Sequence, residues 1–255
     1  MTDGARSPYA CLAMYPLADL RPAWEELWAG VHELAPWTPP TLSWPDDVHE
    51  TWTDPRCVLT QACGWPVATR LRNQVAVVGA FELAIEGAEG HRYRTVLVAA
   101  HDAPASSFVE RAVTVAVNGE DSLSGWISLL DATGTADRGW PGRLVTTGAH
   151  VESVRALRDG TAELASVDAL TWAYLQRFRP ELVDGLHVVG HGPLVPSLPI
   201  VTPVTTPAER VDDLRRAFSI AVRDVASTSH ELLLSGFASL DIGDYLSLPE
   251  QIPVR

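Results

Sequence analysis

The sequence predicts an α/β fold, and three observations carry the prediction. Between residues 112 and 189, short apolar runs alternate strictly with amphipathic segments, the pattern of strands joined by crossover helices. The turns where those runs end are rich in Gly, Ser, Thr, Asn and Asp, as strand-to-helix turns require. At 255 residues, 46% of them hydrophobic, the chain can bury one large core or two lobes of about 100 residues each.

The elements follow in order. Residues 9–15 read as a buried strand closed by Pro16, and residues 20–34 as a helix with Trp24, Leu27, Trp28 and Val31 on one face. Five prolines and three tryptophans in residues 35–55 predict a long packed loop. Residues 56–60 form a second strand, with a short helix to Leu71, and residues 74–83 a third. Residues 93–100 are a β-run suited to crossing between lobes. The middle third then gives strands at 112–117, 144–147, 163–167 and 186–189, with helices at 124–131, 150–159 and 169–178. Such alternation predicts a parallel sheet with right-handed crossovers, in which ligands bind beyond the carboxyl ends of the strands. Thr206-Pro207-Ala208-Glu209 reads as a capping box opening a helix to about Val225. A short helix at 231–234, a strand at 237–240 and a turn near Tyr245 complete the chain.

Composition narrows the chemistry. A formal charge of −13 repels phosphate backbones and anionic bilayers, which argues against nucleic acid or membrane partners. All 19 basic residues are arginine, so neither a Schiff-base lysine nor a Walker-type phosphate loop is present. Cys11, Cys57 and Cys63 show no Cys-x-x-Cys spacing, which fits buried thiols rather than a disulfide framework or a zinc site. His187 and His191 share a strand face without an evident third metal ligand. No metal and no cofactor is expected, and no nucleophile with an adjacent base marks a catalytic residue.

Three carboxyl-end turns carry the polar residues suited to a small charged ligand. The first, Asn118-Gly119-Glu120-Asp121-Ser122-Leu123-Ser124-Gly125, opens a helix, whose first N–H groups lack intrahelical partners and whose dipole favours an anion. Ser122 and Ser124 add hydroxyl donors, and Gly125 allows close approach to the backbone. The second, Thr147-Gly148-Ala149-His150, brings His150 to another helix start. The third is Asp168, which serves as a helix N-cap or as acceptor for a ligand ammonium or hydroxyl.

These segments, together with Met14-Tyr15-Pro16, Thr60-Gln61-Ala62-Cys63-Gly64, Val167-Asp168-Ala169-Leu170-Thr171-Trp172 and Leu233-Leu234-Ser235-Gly236-Phe237, occur in the order seen in a known family. The chain resembles the phosphate, phosphite and phosphonate solute-binding proteins of ABC transporters, which have the type 2 periplasmic-binding-protein fold. The resemblance implies two lobes, each a mostly parallel sheet flanked by helices, with the ligand cleft between them. It places lobe one at residues 1–98 and 202–255 and lobe two at 99–201. It implies that the lobes close on the ligand, with the anion on Ser122, Ser124 and Gly125 and with His150 near. Asp168 would then meet an amino group, while Tyr15, Gln61 and Trp65 would face the ligand from lobe one. An ABC permease is the implied partner.

The chain also departs from that pattern. Leu123 stands where a further hydroxyl is usual, and Glu120 and Asp121 bring two carboxylates near the anion, which disfavours a dianion. A carboxylate, monoanion or zwitterion fits equally. The first predicted strand begins at about Tyr9 with no signal-like segment before it. That reads as a cytoplasmic protein, or as a periplasmic or extracellular one whose export signal has been removed. The alternatives to binding alone are a cytoplasmic enzyme of dehydratase or cofactor-biosynthesis type on the same fold, and a ligand sensor.

Overall fold

The computed structural model describes residues 7–248 and residue 252. Its contacts divide the chain into two compact units. One holds the described residues up to Ala84 together with Pro196–Leu246; the other holds Ile85–Val195 and the described residues from Ser247 onward. The divisions fall at 84/85, 195/196 and 246/247, against expected boundaries at 98/99 and 201/202.

In chain order the strands are β1 (Tyr9–Cys11), β2 (Cys57–Gln61), β3 (Val75–Leu83), β4 (Arg92–Tyr93), β5 (Thr95–Ala99) and β6 (Val115–Val117). They continue with β7 (Leu144–Thr146), β8 (Leu164–Asp168), β9 (His187–His191), β10 (Val195–Pro196), β11 (Pro199–Pro203) and β12 (Leu234–Ala238). The α-helices are α1 (Arg21–Leu34), α2 (Gly64–Ala68), α3 (Ala105–Glu110), α4 (Ser128–Ala132) and α5 (His150–Arg158). After them come α6 (Ala169–Phe178), α7 (Pro180–Val183), α8 (Ala208–Thr228) and α9 (Gly243–Leu246).

The first unit is built on a sheet of order β1-β2-β11-β3-β12. The interior strand β3, between β11 and β12, is buried at nearly every position, which explains its continuous apolar run. One face packs against α1 and α8, each amphipathic, with Trp24, Leu27, Trp28 and Val31 on the first and Leu214, Phe218, Val222 and Val225 on the second. Phe81 links the sheet to both helices, its ring 5.6 Å from that of Trp24 and 5.9 Å from that of Phe218. Gly30 lets α1 approach α8, because a Cβ there would lie 3.2 Å from that of Ala221.

The second unit is built on a sheet of order β7-β6-β8-β5-β9. Its core gathers Leu97, Phe108, Val115, Val117, Leu129 and Leu164, with Trp140 donating its indole N–H to the Val113 carbonyl at 2.8 Å.

Both sheets are mixed rather than mostly parallel. In the second unit β6 runs parallel to β7 and β8, as the alternation predicts, but β5 inserts antiparallel between β8 and β9. In the first, β11 inserts antiparallel between β2 and β3, and β12 adds antiparallel to β3. The inserted strand β11 begins shortly after the division at 195/196, and β5 follows that at 84/85 after the short strand β4. Hydrophobic periodicity identifies a strand but not its direction.

Other local expectations are corrected. The strand at 9–15 is three residues long, because a turn begins at Ala13. The run at 93–100 is split into β4 and β5, and β5 lies inside the second sheet. The capping box at Thr206 does not form: the N-cap is Pro207, without a side-chain bond, and the Thr206 hydroxyl pairs with Thr202 Oγ1 at 2.7 Å. The helix expected at 231–234 is a turn leading into β12, which begins at Leu234, since Leu233 takes a φ of 52° that breaks a helical run. Helix α3 was not anticipated. Among the described residues no helix is long and apolar enough to cross a membrane.

Candidate functional site

At the end of β6 the chain turns through Asn118 and Gly119 into a five-residue π-helical segment, Leu123–Ile127, followed directly by α4. Ser122 is its N-cap: the Oγ accepts from the Gly125 N–H at 3.1 Å, and the Ser122 carbonyl accepts from the Ile127 N–H at 3.1 Å. The wide turn begins earlier than the α-helix expected at 124–131, and such turns are frequent at functional sites.

Ser124 is 3% exposed and is held from two strands. Its carbonyl accepts from Thr95 Oγ1 on β5 at 3.0 Å and from Ser166 Oγ on β8 at 2.8 Å. Its own hydroxyl lies 2.9 Å from His150 Nε2, at the start of α5. Two of the three predicted turns therefore meet through a side-chain pair. They are also tied by backbone, since the Gly148 N–H donates to the Asn118 carbonyl at 3.0 Å. Gly148 takes a φ of +85°, which glycine adopts without strain and which brings His150 back onto the sheet.

Gly125 has a steric role as well. A Cβ there would lie 2.2 Å from Asn118 Oδ1, so the carboxamide closes over the turn only because the residue is glycine. That Oδ1 is enclosed and makes no hydrogen bond, while Nδ1 of His150 is enclosed beside the Ser166 backbone. Burial holds the His150 imidazole below its ordinary value, outweighing the opposing pull of the Asp168 carboxylate and the Ser166 backbone. The ring is thus neutral near pH 7. The unused Asn118 Oδ1 beside a pair of buried serines leaves this turn short of a partner that a polar ligand can supply.

Asp168 ends β8 and is 1% exposed. Its Oδ1 accepts from the Thr171 N–H at 3.0 Å, capping α6, and its Oδ2 accepts from the Tyr93 hydroxyl at 2.7 Å. The helix-cap role anticipated for it is realised. Its register partner is Thr95, the residue that holds the Ser124 carbonyl.

The remaining predicted residues belong to the first unit. Gln61 is the last residue of β2 and is 2% exposed, with an enclosed Oε1 that has no partner. Trp65 lies half-buried in α2, and Tyr15 is buried in the turn after β1.

The polar residues that the sequence reading did not single out are Tyr93, Thr95 and Ser166. Thr95 and Ser166 belong to otherwise apolar strands and Tyr93 ends the two-residue β4, so none of them carries a local turn or motif signal. The thiols offer no nucleophile: all three cysteines are buried, and burial pushes Cys57 up to about 12. Among the described residues no group of three His, Cys, Asp or Glu side chains could hold a metal ion.

Two mixed-sheet α/β units, one with polar turns at the carboxyl ends of its parallel strands, define the class of periplasmic-binding-protein folds. The family model described as "ABC transporter, phosphonate, periplasmic substrate-binding protein" matches residues 46–245, and the chain belongs to that family. Among solved structures it is similar to a binding-protein component of an ABC phosphonate transporter from Pseudomonas aeruginosa. The TM-score is 0.74 at 15% identity, over 97% of this chain and 85% of that one. It is similar too to PhnD1 from Prochlorococcus marinus in complex with methylphosphonate, with TM-score 0.70 at 10% identity, over 96% of both chains. A histidine kinase sensor domain shares the fold at TM-score 0.60 and 17% identity, over 88% of this chain and 92% of that one. No curated protein sequence matches it.

Proposed function

We propose that this substrate-binding protein takes a small phosphonate or related oxyanion at the turn Asn118–Gly125, for an ABC permease. The observation that carries the reading is the Ser124–His150 pair at 2.9 Å, in which an Nε2–H donating to Oγ leaves the Ser124 hydroxyl to donate to an oxyanion. On this reading the hydroxyls of Ser122 and Ser124 donate to the oxyanion, and Gly125, whose N–H is held by Ser122 Oγ, lets it approach the backbone closely. The neutral imidazole of His150 orients the Ser124 hydroxyl. Asp168 acts through Tyr93 and the start of α6, and accepts from a ligand donor where one is present. Tyr15, Gln61 and Trp65 are the ligand-facing residues of the first unit.

The relative bound to methylphosphonate makes that compound the first probe. In a thermal-shift series with methylphosphonate, phosphate, methanesulfonate and acetate, ligand at 100 times its dissociation constant stabilises the fold by about 2.7 kcal/mol. The reading expects a shift with methylphosphonate or phosphate. No shift with any of the four contradicts it.

A further inference from the structure

The Ser124 carbonyl is filled from the sheet side. It accepts from Thr95 Oγ1 on β5 at 3.0 Å and from Ser166 Oγ on β8 at 2.8 Å, and all three residues are buried. A carbonyl oxygen has two lone pairs, so two hydroxyl donors occupy it. A third hydroxyl is left out. Ser128 lies four residues on, from where a helical serine can bond back to this carbonyl. Its Oγ is enclosed and makes no hydrogen bond.

The same carbonyl is bypassed by the backbone ladder. In a regular α-helix the Ser128 N–H would donate to it. Here that N–H is shared between the Leu123 and Gly125 carbonyls, and the Ile127 N–H donates to the Ser122 carbonyl at 3.1 Å, five residues back. The hydroxyls on β5 and β8 have taken the acceptor that an α-helical turn would use, and the turn is a π-turn instead. Its register brings Ser124 Oγ to 2.9 Å from His150 Nε2.

We infer that Thr95 and Ser166 are positioning residues for oxyanion binding. By holding the Ser124 carbonyl they set the wide turn and thereby aim the Ser124 hydroxyl. The inference rests on the phosphonate reading above for its ligand. Each hydroxyl gives its one proton to the carbonyl, so neither has a proton left to donate to an anion, and both act through Ser124.

The test uses Thr95→Val, Ser166→Ala, the double variant, Thr95→Ser and Ser128→Ala. Two quantities are read on each: methylphosphonate affinity by calorimetric titration, and nitrogen NMR of the His150 imidazole, whose Nε2 signal reports the contact with Ser124 Oγ. The double variant should bind about tenfold more weakly, the loss of one buried hydrogen bond, and should shift the Nε2 signal. Each single removal should move that signal in the same direction, which keeps the test decisive if the double variant does not fold. Thr95→Ser, which restores the hydroxyl, should recover both quantities, and Ser128→Ala should leave both as in the wild type. An unchanged Nε2 signal or wild-type affinity in the double variant, or an equal shift in Ser128→Ala, overturns the inference and leaves the phosphonate reading standing. Absence of methylphosphonate binding by the wild type overturns that reading, while the Nε2 signals still decide whether Thr95 and Ser166 aim the Ser124 hydroxyl.

Discussion

Ser124 Oγ lies 2.9 Å from His150 Nε2, and this contact joins the turn after β6 to the first turn of α5. The pairing places a hydroxyl and an imidazole from two loops of one sheet at a fixed spacing, with the serine carbonyl held by Thr95 and Ser166. Anion sites depend on such fixed donors, because an ordered donor loses little entropy when the ligand arrives.

The imidazole makes stability depend on pH. Its folded value lies below the ordinary 6.5, chiefly because it is buried, so the unfolded chain takes up a proton first as pH falls. The contribution is intact above about pH 6.5 and is lost as pH drops from there toward the folded value. His150→Gln removes the titration. Melting temperatures between about pH 7.5 and 5 should therefore fall more steeply for the wild type than for the variant, and parallel curves would refute this.

Gly125→Ala tests the close approach of Asn118. A Cβ placed 2.2 Å from Oδ1 forces the carboxamide off the turn, at a predicted cost of about 1–3 kcal/mol in urea unfolding. Asn118→Ala removes the obstacle, so the double variant should recover stability relative to Gly125→Ala. Additive losses would contradict the assigned contact.

Asp168→Ala removes the cap of α6 and leaves the buried Tyr93 hydroxyl without this acceptor, with a predicted loss of about 2–4 kcal/mol. Asp168→Asn, which keeps an acceptor for the cap, should lose less than half of that. Equal losses in chemical denaturation would show that charge rather than hydrogen bonding holds this corner.

Gly79→Ala probes the first unit. Its Cβ would meet the Ala238 carbonyl at 2.3 Å and the Phe237 ring at 2.4 Å, across the antiparallel pair of β3 and β12. Because the first contact is backbone, relaxation is expensive, and a loss of about 3 kcal/mol is predicted. A variant as stable as the wild type would show that β12 is not seated as described.

Much of this architecture is written in the chain. The alternation between 112 and 189 gives β6, β7, β8 and β9 with α5 and α6, because each strand-helix pair is a local pattern read over a few residues. Helix α1 is equally legible from the spacing of Trp24, Leu27, Trp28 and Val31. The insertion of β5 and β11 was not, since which strand a segment pairs with is decided by contacts far away in sequence. The site divides in the same way. Ser122, Ser124, Gly125 and His150 stand out because turn chemistry is local. Tyr93 and Thr95, which hold Asp168 and Ser124, look like ordinary strand residues until β5 is seated beside β8.

The central claim, that the turn Asn118–Gly125 with His150 holds the oxyanion, is tested most directly by calorimetric titration of methylphosphonate into the wild type, Ser124→Ala and His150→Gln. Saturable one-site binding by the wild type is predicted, weakened about tenfold or more in each variant by loss of a buried hydrogen bond. Wild-type affinity in both variants, or no binding by the wild type, would contradict it.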